Sequence, residues 1–200
     1  MQPIALTAIL EPYESLDTLA PQTTISFQDG MVVISATDHP GGSGVLRTYY
    51  TTDARTFAVY QQPFLLQPEA KTVMAFSIDR NGNREYPGAV LPVLGLSETR
   101  LTFTATIGDP KIASQVLHIR NLEPIGLTGE LTWVATTDIP WLIIDKQVGQ
   151  TPDMLTLSVD IGQLEPAPST HTGSLVVSSS TPGVVYAERV VPIVLEVKPG

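Results

Sequence analysis

Apolar and polar residues alternate with a period of two along much of this chain. Val32, Ile34 and Ala36 alternate with Val33, Ser35 and Thr37, and Leu46, Thr48 and Tyr50 repeat the spacing. Successive side chains of a strand point to opposite faces, so this pattern predicts half-buried β-strands. Val191, Ile193, Leu195 and Val197 alternate in the same way with Pro192, Glu196 and Lys198. Pro192 has no amide hydrogen, which predicts an edge strand or a bulge. No segment of useful length carries the helical period.

Turn residues divide the pattern into strands. Thr23–Phe27 reads as a strand, Gln28-Asp-Gly30 as a turn, and Gln62–Pro68, with proline at both ends, as an edge strand or loop. Lys71–Ile78 is the next strand. Asn81-Gly82 predicts a type I′ hairpin, and Pro87–Val93 a returning final strand. The Lys71–Ile78 strand is apolar on both faces, with Val73, Ala75 and Ser77 on one and Met74, Phe76 and Ile78 on the other. A sheet open to water on one side alternates more cleanly. Either a loop or neighbouring module covers Met74, Phe76 and Ile78, or they form a partner surface.

Farther along, strands are expected at Leu101–Ala105, Gln115–Arg120, Glu130–Ala135, Trp141–Ile144, Met154–Asp160, Gly173–Ser178 and Val184–Val197, the last containing a turn or bulge. About seven short strands separated by turns fit an immunoglobulin-like sandwich. The expected fold is all-β: two tandem immunoglobulin-like β-sandwiches at 16–93 and 99–200. Residues 94–98 form a short linker that holds them in a preferred orientation. Residues 1–15 are a margin or the end of a preceding module.

Composition narrows the function classes. Eleven basic residues against 20 acidic give a net charge of −9, and no basic run is present, which excludes nucleic acid as an expected partner. There is no cysteine, so disulfides, zinc–thiolate sites and thiol nucleophiles are excluded. No segment approaches the roughly 20 apolar residues of a membrane helix, so no membrane insertion is expected. Met1–Pro12 lacks the basic start and apolar run of a signal peptide, so the chain is either a cytoplasmic protein or a piece cut from a longer secreted one, and the module resemblances below favour the second.

Ala36-Thr-Asp38, Gly42-Ser-Gly-Val45, Tyr50-Thr-Thr-Asp53 and Asp79-Arg-Asn-Gly-Asn-Arg-Glu85 together resemble the bacterial immunoglobulin-like repeats of the OmpL47 β-barrel type. Ala54-Arg55 replaces the Gly-Gly usual after the Tyr segment. Trp141-Leu142, Gly149-Gln-Thr-Pro152, Leu155–Asp160 and Thr170-His-Thr-Gly173 resemble the BACON family, with His171 where those domains usually carry Tyr. The second resemblance implies an accessory domain of secreted or surface bacterial proteins, with carbohydrate as the ligand class.

The candidate chemistry is sparse. Counted from Asp79, the glycine and bidentate glutamate of an EF-hand loop are missing, because Gly82 is fourth and Val90 twelfth. A hairpin with local Asp and Asn hydrogen bonds is one reading, and calcium held jointly by Asp38, Asp53 and Asp79 is the other. Gly41-Gly-Ser-Gly44 lacks the second glycine spacing of a nucleophile elbow. No acidic pair sits in a context that would form a glycosidase cleft. Trp133, Trp141 and His171 are the candidates for a sugar platform, with core packing the alternative for the tryptophans. The expected function is therefore non-catalytic: an accessory module that spaces or docks a functional domain of the same parent chain at the bacterial surface. Glycan binding through the second module and calcium-stiffened adhesion are the alternatives.

Overall fold

Gln22–Gln28 (β1) and Met31–Thr37 (β2) pair as a hairpin closed by Asp29 and Gly30. Both turn residues have positive φ, at 51° and 79°. That is the requirement of a type I′ turn, which matches the twist of the two strands. The sequence places such a turn at Asn81-Gly82, but there only Gly82 is left-handed. The reason is the longer closure of that loop, in which the Asp79 N–H donates to the Asn83 carbonyl at 3.1 Å. This computed structural model describes residues 16–67, 70–109, 114–123, 126–164 and 168–200, and the expected margin at 1–15 lies outside them.

Phe64–Leu65 (β5) joins β2 to complete a three-stranded sheet. The facing sheet runs β4-β3-β6-β7, built from Ala58–Val59 (β4), Val45–Thr51 (β3), Met74–Asp79 (β6) and Ala89–Val90 (β7). Between the sheets lie Val32, Ile34, Val73, Ala75, Leu91 and Val93. The alternation of β6 decides which of its faces goes inward: Ala75, Ser77 and Asp79 are buried, while Met74, Phe76 and Ile78 are only half-buried.

The second module has two larger sheets. One runs β12-β14-β10-β8, from Leu142–Ile144 (β12), Asp153–Val159 (β14), Gln115–Asn121 (β10) and Leu94–Leu96 (β8). The other runs β13-β11-β15-β16-β9, from Val148–Gln150 (β13), Thr132–Thr137 (β11), Ser169–Ser179 (β15), Glu188–Lys198 (β16) and Leu101–Thr106 (β9). Leu117, Ile119, Leu155 and Leu157 from the first sheet meet Phe103, Trp133, Ile193 and Leu195 from the second. The described residues are all-β with sandwich-like sheets. A single 3₁₀ turn at Ile161–Gln163 is the helical element among the described residues.

Pro192 belongs to an interior strand, since β16 lies between β15 and β9. It is tolerated because β9 pairs only from Ile193 onward. At Pro192 that side of the strand is still an edge, where a missing N–H costs nothing.

The expected linker is a strand. Asn121, Arg120 and Ile119 of β10 pair with Leu94, Gly95 and Leu96. Val93 is buried in the first core and Leu94 in the second, so the boundary falls between two adjacent residues. The loop before β16 repeats the arrangement. Val184 lies in the second core, and Val185 reaches across into the first. Val185 donates to the Pro92 carbonyl at 2.8 Å and accepts from the Leu94 N–H at 3.1 Å. The Tyr186 hydroxyl donates to the Gln67 carbonyl at 2.7 Å. An extended strand carries consecutive side chains to opposite sides, which lets one residue step change cores.

Candidate functional site

The loops at one end of the first module gather Asp17, Asp38, His39 and Asp79. The strand ends β2 and β6 place the second and last of these; Asp17 carries no signal in the sequence, and His39 has no metal-ligand spacing there. Asp38 Oδ1 accepts from the His39 N–H at 2.9 Å and faces its Nδ1 at 3.0 Å, while Oδ2 accepts from the Gly44 N–H at 2.6 Å. Asp17 Oδ2 accepts from the Ser43 N–H at 2.7 Å, and its Oδ1 takes the Leu19 N–H at 3.1 Å and lies 3.5 Å from His39 Nε2. The Ser43 N–H is the largest of the influences that hold the Asp17 carboxyl below its usual range. Asp79 is fully buried and accepts from Asn83 through both its backbone N–H and its side-chain amide. Asn83 in turn donates to the Asp17 carbonyl at 2.9 Å.

This geometry does not fit calcium. Ligating atoms of Asp17, Asp38 and His39 do lie within 4.8 Å of one another. Calcium, however, takes six to eight oxygens, and imidazole is not among its ligands. The carboxylates here already accept N–H donors. Asp53 cannot join them, because Asp79 pairs with Val45 at one end of β3 and Asp53 follows Thr51 at the other. A seven-residue strand separates those ends by roughly 20 Å. The expected trio Asp38, Asp53 and Asp79 is therefore corrected to a hydrogen-bonded knot and a separate turn cap. In that cap one oxygen of Asp53 accepts from Thr51 Oγ1 and the Arg55 and Thr56 N–H groups, each at 2.8 Å. The Thr56 N–H, followed by that of Arg55, lowers the Asp53 pKa to about 2.

Trp133 and Trp141 are both core residues, fully and almost fully buried. The sugar platform expected of them, with His171, does not form, because neither indole offers a face to solvent. The core reading is the one the packing supports. His171 is half-buried, meets Trp141 edge-on with ring centroids 6.3 Å apart, and shares a 2.8 Å hydrogen bond with Ser169 Oγ. The Trp133 N–H is buried, with the Asp153 carboxyl as the acceptor on its side. That carboxyl is held low first by its pairing with Lys146.

The exposed aromatics lie elsewhere, on the outward face of the β4-β3-β6-β7 sheet. Tyr49 of β3 pairs with Phe76 of β6, and the two rings stack at 5.3 Å. Phe57 packs on Phe76 edge-on at 5.4 Å, and the Arg84 guanidinium sits 4.0 Å from the centre of the Phe76 ring. A cleft of about 260 Å³ opens beside them, walled by Phe57, Met74, Phe76, Tyr86 and Pro87, with Leu127 of the second module at its rim. Tyr86 is 92% exposed. Of the expected partner surface, Met74 and Phe76 line this cleft. Ile78 shares their face, opposite Arg47 and bridged to Arg84. The period of two signals Phe76 in the sequence, whereas no pattern singles out Tyr49, and Phe57, Arg84 and Tyr86 come from loops that carry no periodicity.

No protein-family profile and no curated protein matches this chain. Solved structures share only a general likeness. A Bacteroides ovatus GH5 xyloglucanase in complex with a XXXG heptasaccharide matches 52% of this chain at 12% identity and a TM-score of 0.37, and the chain spans only 19% of that protein. A protein of unknown function from Porphyromonas gingivalis W83 matches 88% of this chain and 96% of its own length, at 15% identity and a TM-score of 0.38. The D00-D0 domain of intimin matches 88% and 98%, at 9% identity and a TM-score of 0.33. At this level of similarity no ligand or partner passes from those proteins to this one.

Proposed function

We propose that this chain is a non-catalytic, stiff two-module spacer of a larger bacterial surface or secreted protein, which sets the position of a functional domain elsewhere in that protein. The observation that carries this reading is the junction. Val93 and Val185 sit in one core, their chain neighbours Leu94 and Val184 sit in the other, and the two strands are bridged directly. A hinge needs a few residues free to absorb changes in φ and ψ, and at this junction both crossing segments, Val93–Leu94 and Val184–Val185, are buried and joined by backbone hydrogen bonds. The motifs quoted above support the finer assignment of 16–93 to an OmpL47-type repeat and of 99–200 to a BACON-like domain. The absence of catalysis is part of the proposal. It is supported by the commitment of Asp17, Asp38, Asp53 and Asp79 to structural hydrogen bonds. Glycan binding through Trp133 and Trp141 is not proposed again, since both are buried.

The test is a distance measurement between the modules. The chain has no cysteine, so spin labels can be placed at Thr24→Cys and Thr172→Cys alone, both exposed. A single narrow distance distribution is expected, and Val185→Asp should broaden it. A broad distribution in the otherwise unaltered chain would overturn the spacer reading.

A further inference from the structure

The outward face of the β4-β3-β6-β7 sheet is apolar and basic on a chain of net charge −9. Register defines it. Tyr49 lies opposite both Val59 and Phe76, Met74 opposite Val90, and Ile78 between Arg47 and Arg84. Every one of these positions is apolar, aromatic or arginine. Val59 is 42% exposed and Phe57, beside them, 43%. Arg47 and Arg84 are exposed, and neither makes an ion pair among the described residues. One acid, Glu85, lines the cleft, and both of its oxygens are engaged by the protein: they accept from the Thr23 N–H at 2.8 Å and the Ser77 N–H at 3.2 Å. Asp53, at the Met74 end, is occupied by its own turn.

We propose that this face docks an extended acidic protein segment, which inserts aromatic or branched apolar side chains beside Phe76 and sets its carboxylates against Arg47 and Arg84. Three features select that occupant. Two unpaired guanidiniums on an otherwise acidic molecule attract carboxylates, with fork geometry suited to them. The cleft, at about 260 Å³, is below the usual range of small-molecule sites and suits one or two anchoring side chains. Its lining is mostly apolar; of the side chains there that can hydrogen-bond, Glu85 is already engaged by backbone N–H groups, which leaves Arg84 and Tyr86 for a ligand and favours apolar anchors with a carboxylate. A second copy of this chain is disfavoured as occupant, because a two-fold contact pairs this face with itself, and each copy brings two arginines to it while its one acid, Glu85, is already engaged. The inference does not depend on the spacer reading.

The experiment titrates the full chain with short labelled peptides that alternate Glu with Phe, Lys with Phe, or Glu with Ser, followed by anisotropy and amide NMR shifts. The Glu–Phe peptide is expected to bind best, with shifts confined to Arg47, Tyr49, Met74, Phe76, Ile78, Arg84 and their neighbours, and more weakly as salt rises. The paired substitutions Arg47→Glu and Arg84→Glu, both at exposed positions, should weaken it by at least about tenfold while leaving the circular dichroism unchanged. No binding, equal binding of the Lys–Phe or Glu–Ser peptide, or shifts on another face would overturn the proposal. So would self-association that the two substitutions abolish, or displacement of the peptide by polygalacturonate. All of these readouts are separate from the inter-module distance, so failure here leaves the spacer reading standing.

Discussion

Asp53 shows how one carboxylate can hold a loop. Three donors converge on a single oxygen, and together they keep the charged form favoured to a pKa of about 2. The ordinary aspartate value is 3.8, so the folded state binds its proton less readily than the unfolded state does. The stability this supplies is therefore complete above about pH 4 and is lost as pH falls toward 2. A carboxyl NMR titration should place the Asp53 midpoint near 2, and Asp53→Asn should remove its share of the acid limb of unfolding. Asp17 contributes in the same direction, held low mainly by the Ser43 N–H. A calcium ion would have to displace donors to reach Asp17, since both of its carboxylate oxygens accept backbone N–H groups. The same side-chain oxygens that suggest a metal loop in the sequence are the ones that bond local backbone here.

At the scale of elements, the short strands are the informative ones. Val148–Gln150 gives no strand signal, since a glycine among polar residues reads as a turn. It is nevertheless a strand, because Gly149 pairs opposite Trp133 and leaves room for the indole. A Cβ at Gly149 would come within 2.2 Å of Asp153 Oδ2 and 2.6 Å of the Trp133 ring. Gly149→Ala should therefore destabilise the second module by about 1–3 kcal/mol, as overpacking does, measured by urea unfolding. Leu94–Leu96 was read as linker for a similar reason: three residues are too few to display a period. Its partner strand β10 and the core pocket for Leu94 make it a strand. In β6 the inner face carries Ala75, Ser77 and Asp79, and register shows that the apolar outer one carries Tyr49 and Phe76 as a stacked pair.

For the molecule as a whole, the junction couples the two cores. Val185 is the second module's contribution to the first core, and it is 1% exposed. Removing most of its side chain in Val185→Ala should cost about 2 kcal/mol of apolar burial. The loss falls on the first module and on the contact between modules. Calorimetry of the unaltered chain should show one transition, and Val185→Ala should split it, with the first module melting earlier. Two transitions in the unaltered chain would mean that the modules unfold independently, and the coupling described here would be wrong.

The sequence by itself determined the fold class and most of the strands, because a period of two and turn residues are local properties that each segment carries alone. The same locality made the Asp–Asn turn and the apolar outer face of β6 legible. Only the tertiary structure decided what those features do. It buried Trp133 and Trp141, since an indole is equally suited to a core or a platform until packing chooses. It separated Asp53 from Asp38 and Asp79, since the ends of a strand are close in sequence and far apart in space. It turned the expected linker into a strand shared with β10, and brought Val185 to Val93 across 92 residues of chain. It also assembled Arg47, Tyr49, Phe57, Phe76 and Arg84 on one sheet face, since cross-strand neighbours depend on register, which no single segment contains.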